Sequence, residues 1–362
     1  MRILFYDGLT PFPYDAEIMN RQGIGGTEST VVRVAEGLSA MHDVAVAQRA
    51  RQKRSSPHSG LRYIPLEDPA PFDGKQPDWV IVLRKHRHVP PLRKRFPSSA
   101  MISWIHNWQR AESAIQRIGL ARNRCAVITV SDARRAATDG VINGPVARII
   151  GTLSGGGGIV PVHRIYNPVD ERLAPNDTPV DPNKLTFFST ANKGLNQVLT
   201  TFTAVRKAIP SLRLYIAGES LESLETNPRY DSALTRQPGV HLLGRLPQRE
   251  IFQHVRESLC VFYPQNQHPE TFGLVFAESN ALGTPVIAHD FGSAREILGG
   301  DEQLVNADDH RSILTKLLDW HQGKRPNVFL NPKFRTPSVV EQWNRFFNQA
   351  LGAGKPPSTC QE

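Results

Sequence analysis

Cysteine is scarce in this chain: Cys125, Cys260 and Cys360 are the only three in 362 residues, odd in number and far apart. That excludes a disulfide framework and a thiolate metal site, and a reducing cytoplasm is the simplest compartment for such usage. Long apolar runs are missing too, and none approaches the ~20 residues that a helix needs to cross a bilayer. The opening MRILFYDGL has too short an apolar run for a signal peptide and reads as a strand. A clean G-x-G-x-x-G after that strand is absent, which counts against a dinucleotide oxidoreductase. Aromatic residues make up 8% and hardly interleave with the basic runs. With no recognition motif either, nucleic acid is set aside as a partner.

What is present is unevenly placed. Residues 1–170 hold 23 Lys/Arg against 14 Asp/Glu, and the remainder holds 20 of each, so the whole net charge of +9 belongs to the first half. Its clusters are RARQKR at 49–54, RKHRHVPPLRKR at 84–95, and Arg117, Arg122 and Arg124. Solvated loop charge would account for them. The functional alternative is attraction to an anionic membrane face or a phosphorylated acceptor, at ~1 kcal/mol per basic residue near such a surface. The length suits two domains, each large enough for its own core.

The stretch 258–298, SLCVFYPQNQHPETFGLVFAESNALGTPVIAHDFGSAREIL, reads as strand, loop, helix, strand, loop, helix. Leu259 to Tyr263 suits a strand buried on both faces, and Pro264 ends it. Apolar residues recur at three- and four-residue steps from Phe272 to Leu282, as on a helix. Gly283 stands where a left-handed C-terminal residue is wanted, Pro285 stops the helix, and Val286 to Ala288 makes a second strand. Glu270 precedes the helix and Glu278 lies two turns inside it. Both can face one place only if Glu270 is at the helix mouth. The N–H groups of Phe272, Gly273 and Leu274 would then offer a phosphate seat, with Gly273 allowing close approach. A carboxylate such as Glu278, accepting from two hydroxyls, is one way to grip a ribose. A helix with one solvated Glu and one Glu favoured by the dipole has the same spacing, so the spacing leaves both readings open.

Elsewhere, strands predicted at Arg2–Asp7, Val44–Ala47, Leu61–Pro65, Val80–Leu83, Met101–Ile105 and 126–131 alternate with helices. That implies a parallel sheet with ligands at the carboxyl ends of its strands. Gly23, Gly25 and Gly26 make a flexible turn after the first strand, with Thr27 expected to cap the following helix and a second anion seat possible there. His106, in SWIHNW, lies at a strand end, as a packed ring or a catalyst, with Asn107 and Trp108 as sugar or acceptor contacts. Gly155–Gly158 reads as a surface loop. HRIYNPVDERLAPND at 163–177 marks a domain boundary. A strand at Leu185–Ser189 then leads to a helix from Gly194, with Lys193 just before it where a cation could face a diphosphate. Strands at 212–218 and 240–243, a helix beginning at Pro247, and an amphipathic helix at 338–351 complete the pattern.

PETFGLVFAESNALGTPVIA resembles the donor-binding segment of retaining glycosyltransferases of family 4, within glycosyl transferases group 1. Those enzymes carry E-x7-E, then G-x-P-V-I-A, then a glycine turn into a helix with an acidic residue. Here these are Glu270 and Glu278, Gly283 with Pro285 to Ala288, and Gly292 with Glu296. The resemblance implies the α/β GT-B fold, two Rossmann-like parallel-sheet domains facing across a cleft. Residues 1–168 would form the acceptor-side domain, 169–337 the nucleotide-sugar donor domain, and 338–362 a helix packing back on the first domain with a tail. It also implies that Gly25 and Gly26 face the donor phosphates and His106 the transferred sugar. Lys193 would lie on the leaving diphosphate, and Arg245 and Leu246 by the base. The family's loop arginine is replaced by Ser189-Thr190-Ala191-Asn192, so Thr190 or Asn192 would donate hydrogen bonds instead. Pro168 in place of the family's hinge glycine should stiffen that hinge. No D-x-D occurs, so no metal is expected.

The function expected on these grounds is transfer of a hexosyl group, with retention, from a nucleotide-diphosphate-sugar donor to a hydroxyl of a glycan or glycolipid acceptor. The setting would be polysaccharide or glycolipid assembly. His106, Lys193 and Glu270 form the expected catalytic set, with no cofactor beyond the donor. The alternatives are another GT-B enzyme, an epimerase or phosphorylase, or a non-catalytic basic protein binding membrane or polyanion. The expected location is cytoplasmic, with peripheral attachment to the inner membrane face as a variant.

Overall fold

The computed structural model describes residues 1–108, 114–153, 158–218, 221–227 and 231–352. They divide into two compact units, the first made of 1–17, 24–168 and the segment from 335 onward, the second of 18–23 and 169–334.

The first unit is built on β1 (Arg2–Asp7), β2 (Asp43–Gln48), β3 (Ser55–His58), β4 (Leu61–Pro65), β5 (Trp79–Leu83), β6 (Ala100–Ile105), β7 (Cys125–Thr129) and β8 (Val162–Arg164). Their order is β3-β4-β2-β1-β5-β6-β7-β8, parallel throughout except between β3 and β4. WVIVL in β5 is buried at all five positions, as strands covered by helices on both faces require. β3 is an addition to the predicted strands. Its SSPH sequence has no apolar alternation, and as an edge strand it needs only one neighbour. β7 ends at Thr129 rather than Ser131. The Ser131 side chain instead caps helix Asp132–Ile142, accepting from the Arg134 N–H at 3.1 Å. Gly155 to Gly157 of the tetraglycine lie outside the described residues, as does Cys360.

The predicted cap at Thr27 is corrected. Helix Gly26–Ser39 starts one residue before it, with extended Gly25 as N-cap and Thr27 inside the first turn. The C-terminal helix, Thr336–Gly352, packs within this unit. Its Trp343 meets Trp104 edge-on at 4.9 Å, and its Phe347 lies 5.1 Å from Trp79. A Cβ on Gly37 would come within 2.3 Å of Val340, so that glycine lets helices Gly26–Ser39 and Thr336–Gly352 touch.

The second unit is a six-stranded sheet of β9 (Asp181–Phe188), β10 (Arg213–Ala217), β11 (Val240–Gly244), β12 (Ser258–Tyr263), β13 (Val286–His289) and β14 (Leu304–Val305). The order is β11-β10-β9-β12-β13-β14, all parallel. β9 starts four residues earlier than predicted, since its first residues, DPNK, are polar. Pro247, expected to open a helix, is the N-cap of helix Gln248–Arg256. Helix Leu274–Ala281 starts two residues after Phe272, because left-handed Gly273 is its N-cap.

The chain runs outward from β9 to β11 and returns beside β9 as β12. The loops after β9 and β12 therefore leave toward opposite faces and open a crevice at the carboxyl edge of the sheet. In the first unit the same reversal falls between β1 and β5.

Candidate active site

Lys193 follows β9 and Glu270 follows β12, the two strands that flank the reversal in the second sheet. Their side chains meet. Lys193 Nζ lies 3.3 Å from Glu270 Oε1 and 3.4 Å from Oε2. Tyr263, the last residue of β12, donates its hydroxyl to Oε1 at 2.6 Å. Burial raises the Tyr263 pKa well above the ordinary phenol value, and the adjacent Glu270 carboxylate raises it further. The ring therefore stays a protonated donor. It also stacks on Phe187 of the neighbouring strand at 5.4 Å, so the donor is rigidly placed.

The backbone of Glu270 is fixed from the next loop. It bridges to Gly292 in parallel register, and Ser293 N–H donates to the Glu270 carbonyl at 3.1 Å. The Ser293 hydroxyl reaches that same carbonyl at 3.1 Å and the Phe272 carbonyl at 2.8 Å. Gly292 has φ +64°, and a Cβ there would stand 2.5 Å from the Glu270 carbonyl oxygen, so a side chain would push the loop away.

At the helix mouth, Gly273 has φ +81°, and a Cβ would come within 2.5 Å of the Phe276 ring. Its carbonyl accepts from Phe276 N–H at 2.9 Å, and no side chain caps the helix. The N–H of Leu274 lies in the first turn, outside the helical ladder. Phe272 is an anchor: its side chain is buried edge-on against Phe334 at 5.3 Å. Glu278, on the same helix, is buried and accepts from Gln248 Nε2 at 3.0 Å. Glu270 and Glu278 thus have different partners, a cation and a phenol for one, an amide for the other.

Gln248 begins the helix after β11, and Arg245 (exposed) and Leu246 (half-buried) lie in the loop just before it. Thr190 and Asn192 are exposed, and the Thr190 hydroxyl donates to Asn192 Oδ1 at 2.6 Å. Every predicted donor residue of this unit therefore lies on loops or helices that follow strand carboxyl ends. Tyr263, Ser293 and Gln248 were missed. They are ordinary strand, turn and helix residues whose roles come from partners distant in sequence. A hollow of about 650 Å³ on this unit, lined by Arg311, Lys316 and Trp320, shares none of these residues.

In the first unit, His106 follows β6 with its ring 4.3 Å from Trp104, and it is buried. Burial, then the Arg84 charge, hold its pKa well below the ordinary histidine value, so it is a neutral imidazole. Asn107 is exposed, and Arg134 lies over the Trp108 ring at 4.9 Å. Gly25 and Gly26 are exposed at the start of their helix. The carboxylate of Glu28 folds back there, so a Cβ on Gly25 would meet its Oε2 at 2.3 Å.

Glu28 in turn pairs with the guanidinium of Arg84, which lies 3.7 Å from Asp7 Oδ2. Tyr14 donates to Asp7 at 3.1 Å, and Thr10 donates to Asp7 as well. Arg84 has φ +64°, a left-handed conformation rare outside glycine. This acid–arginine cluster at the β1/β5 reversal was not legible in the sequence. The expected phosphate seat of the glycine turn already holds a carboxylate of the chain.

No curated protein matches the sequence. Residues 172–327 match the family model of glycosyl transferases group 1. Among solved structures, a glycosyltransferase involved in avilamycin A biosynthesis is 18% identical with a TM-score of 0.61, covering 97% of this chain and 98% of its own. The α,α-trehalose 6-phosphate synthase of Burkholderia multivorans is 13% identical with a TM-score of 0.67, covering 100% and 99%. The pneumococcal O-GlcNAc transferase GtfA, solved with UDP and GlcNAc, is 16% identical with a TM-score of 0.57, covering 75% of this chain and 57% of its own. Two parallel-sheet α/β units of this kind, matching such structures, make the fold GT-B. By that match, the second unit is similar to glycosyl transferases group 1.

Proposed function

We propose that the chain is a retaining, hexosyl-transferring enzyme of glycosyltransferase family 4. It would take its sugar from a nucleotide diphosphate and pass it to a hydroxyl of a glycan or glycolipid. The observation that carries this reading is the Lys193–Glu270–Tyr263 contact at the strand reversal of the second sheet. A departing diphosphate gains negative charge, and a lysine beside an uncapped helix mouth at Gly273–Leu274 is built to receive it. Glu270, held by a phenol and an ammonium, keeps lone pairs for sugar hydroxyls. Glu278, oriented by Gln248, accepts from the ribose diol, and Arg245 and Leu246 lie by the base. Thr190 and Asn192 supply further hydrogen-bonding groups beside Lys193. On the first unit, neutral His106 is a hydrogen-bonding group for the transferred sugar. The UDP complex of the pneumococcal relative supports a nucleotide-sugar donor as the substrate class. No resident cofactor or metal is part of the proposal.

A thermal-shift series with UDP-, GDP- and ADP-sugars tests it. A bound donor raises stability by mass action, about 2.7 kcal/mol at a hundredfold excess over Kd. Glu278→Ala should abolish the shift seen with the preferred donor, and an undiminished shift removes the ribose assignment. Turnover of the sugar nucleotide by epimerisation without any acceptor would replace transfer with the rival chemistry.

A further inference from the structure

Helix Pro145–Leu153, PVARIIGTL, packs with its small side chains inward and its large ones outward. Ala147 and Gly151, one turn apart, are its buried positions. Val146, Ile149, Ile150 and Leu153 are 69%, 62%, 38% and 84% exposed. At ~100° per residue these four fall within about 100° of arc, turned well away from the buried pair. Ile159, just beyond, is 62% exposed as well. Single exposed apolar residues are ordinary, but a contiguous stripe of them marks a surface that meets something apolar.

The surroundings indicate what it meets. This helix packs beside helix Ala114–Arg122, which packs beside helix Val89–Arg95. Together the three helices carry Arg93, Lys94, Arg95, Arg122 and Arg148 at exposed or half-buried positions, and not one Asp or Glu, while Arg117 is buried and donates to the Gly158 carbonyl. Two copies meeting through this face would bring like charges together. Among the described residues no helix is long and apolar enough to cross a membrane. A short helix with an apolar stripe, set among basic residues and lacking acids, has the chemistry of one that lies at a lipid surface rather than across it.

We propose that helix Pro145–Leu153 seats the first unit on an anionic phospholipid surface. Its apolar stripe enters the acyl boundary, and the neighbouring basic helices meet the headgroups. The proposal rests on the first unit alone and is independent of the donor assignment.

Flotation of the full chain with vesicles tests it, using phosphatidylcholine alone or mixed with phosphatidylglycerol. The expected result is binding to the mixed vesicles that weakens with added salt, and little binding to the neutral ones. The double variant Ile149→Asp, Leu153→Asp should lower the apparent partition coefficient about tenfold or more, the loss expected when two large apolar side chains can no longer bury. Lys94→Ala with Arg148→Ala should weaken binding to the mixed vesicles and flatten the salt dependence. All four positions are exposed or half-buried, and retention of the far-ultraviolet dichroism and melting temperature confirms the fold of the variants. Equal binding to both vesicle types, or undiminished binding by the Asp variant, overturns the proposal. So does absence of vesicle binding, including a case where light scattering shows self-association through the same residues.

Discussion

Gly292 sets the position of Glu270 without touching a ligand itself. Its positive φ and the 2.5 Å that a Cβ would leave to the Glu270 carbonyl oxygen mean that any side chain displaces the loop carrying the carboxylate. Gly292→Ala should therefore cost ~1–3 kcal/mol of stability, from strain and overpacking, and weaken the donor-induced thermal shift more than the fold. Chemical denaturation and the donor titration together check this. A variant with unchanged donor response would show that the loop position is unimportant. Glycine at this point was legible as a turn. Its true constraint, a close approach to a backbone 22 residues earlier, was not, because the contact is made across two loops.

Among the elements, the C-terminal helix has the clearest energetic role. Trp343 is fully buried among Phe5, Trp104 and Phe347, which cover one face of the first sheet. Trp343→Ala should destabilise the first unit by ~3–5 kcal/mol. A shift confined to the second unit's unfolding, followed by Tyr263 fluorescence or hydrogen exchange, would contradict the assignment of this helix to the first. The amphipathic period of this helix is strong enough to read from SVVEQWNRFFNQAL alone. Helix Pro145–Leu153 was missed for the opposite reason: its buried face is Ala and Gly, so the apolar pattern marks the exposed side. The buried parallel strands were readable because covering helices make them continuous apolar runs. Polar β3, at the sheet edge, carries no such signal.

At the scale of the whole molecule, the first unit buries histidines as neutral rings, and this makes stability depend on pH. His86 Nδ1 lies 2.5 Å from the Ser103 hydroxyl. Burial, then the charges of Arg134 and Lys85, lower its pKa from 6.5 to about 4, and His106 is shifted in the same direction. The folded state therefore refuses a proton that the unfolded chain accepts. Stability from this source is complete above pH 6.5 and falls as pH drops toward about 4. His86 alone accounts for roughly 3 kcal/mol across that window, at 1.36 kcal/mol per pKa unit. Urea titrations between those limits should show the decline, and His86→Gln should flatten it. A pH-independent midpoint in the parent protein would remove His86 as a buried neutral ring.

Local sequence was sufficient for the pattern of parallel strands and helices, for the loop and helix that carry Glu270 and Glu278, and for Lys193 just before its helix. All of these depend on neighbours a few residues away, where hydrophobic period, glycine and proline act directly. Only the tertiary structure decided what each charged group faces. Lys193 meets Glu270 across 77 residues, Gln248 meets Glu278 across 30, and Arg84 meets Glu28 across 56. Pairings at that separation are set by the order of strands in the sheet. Strand order arises from packing the whole unit, not from any one segment of the chain.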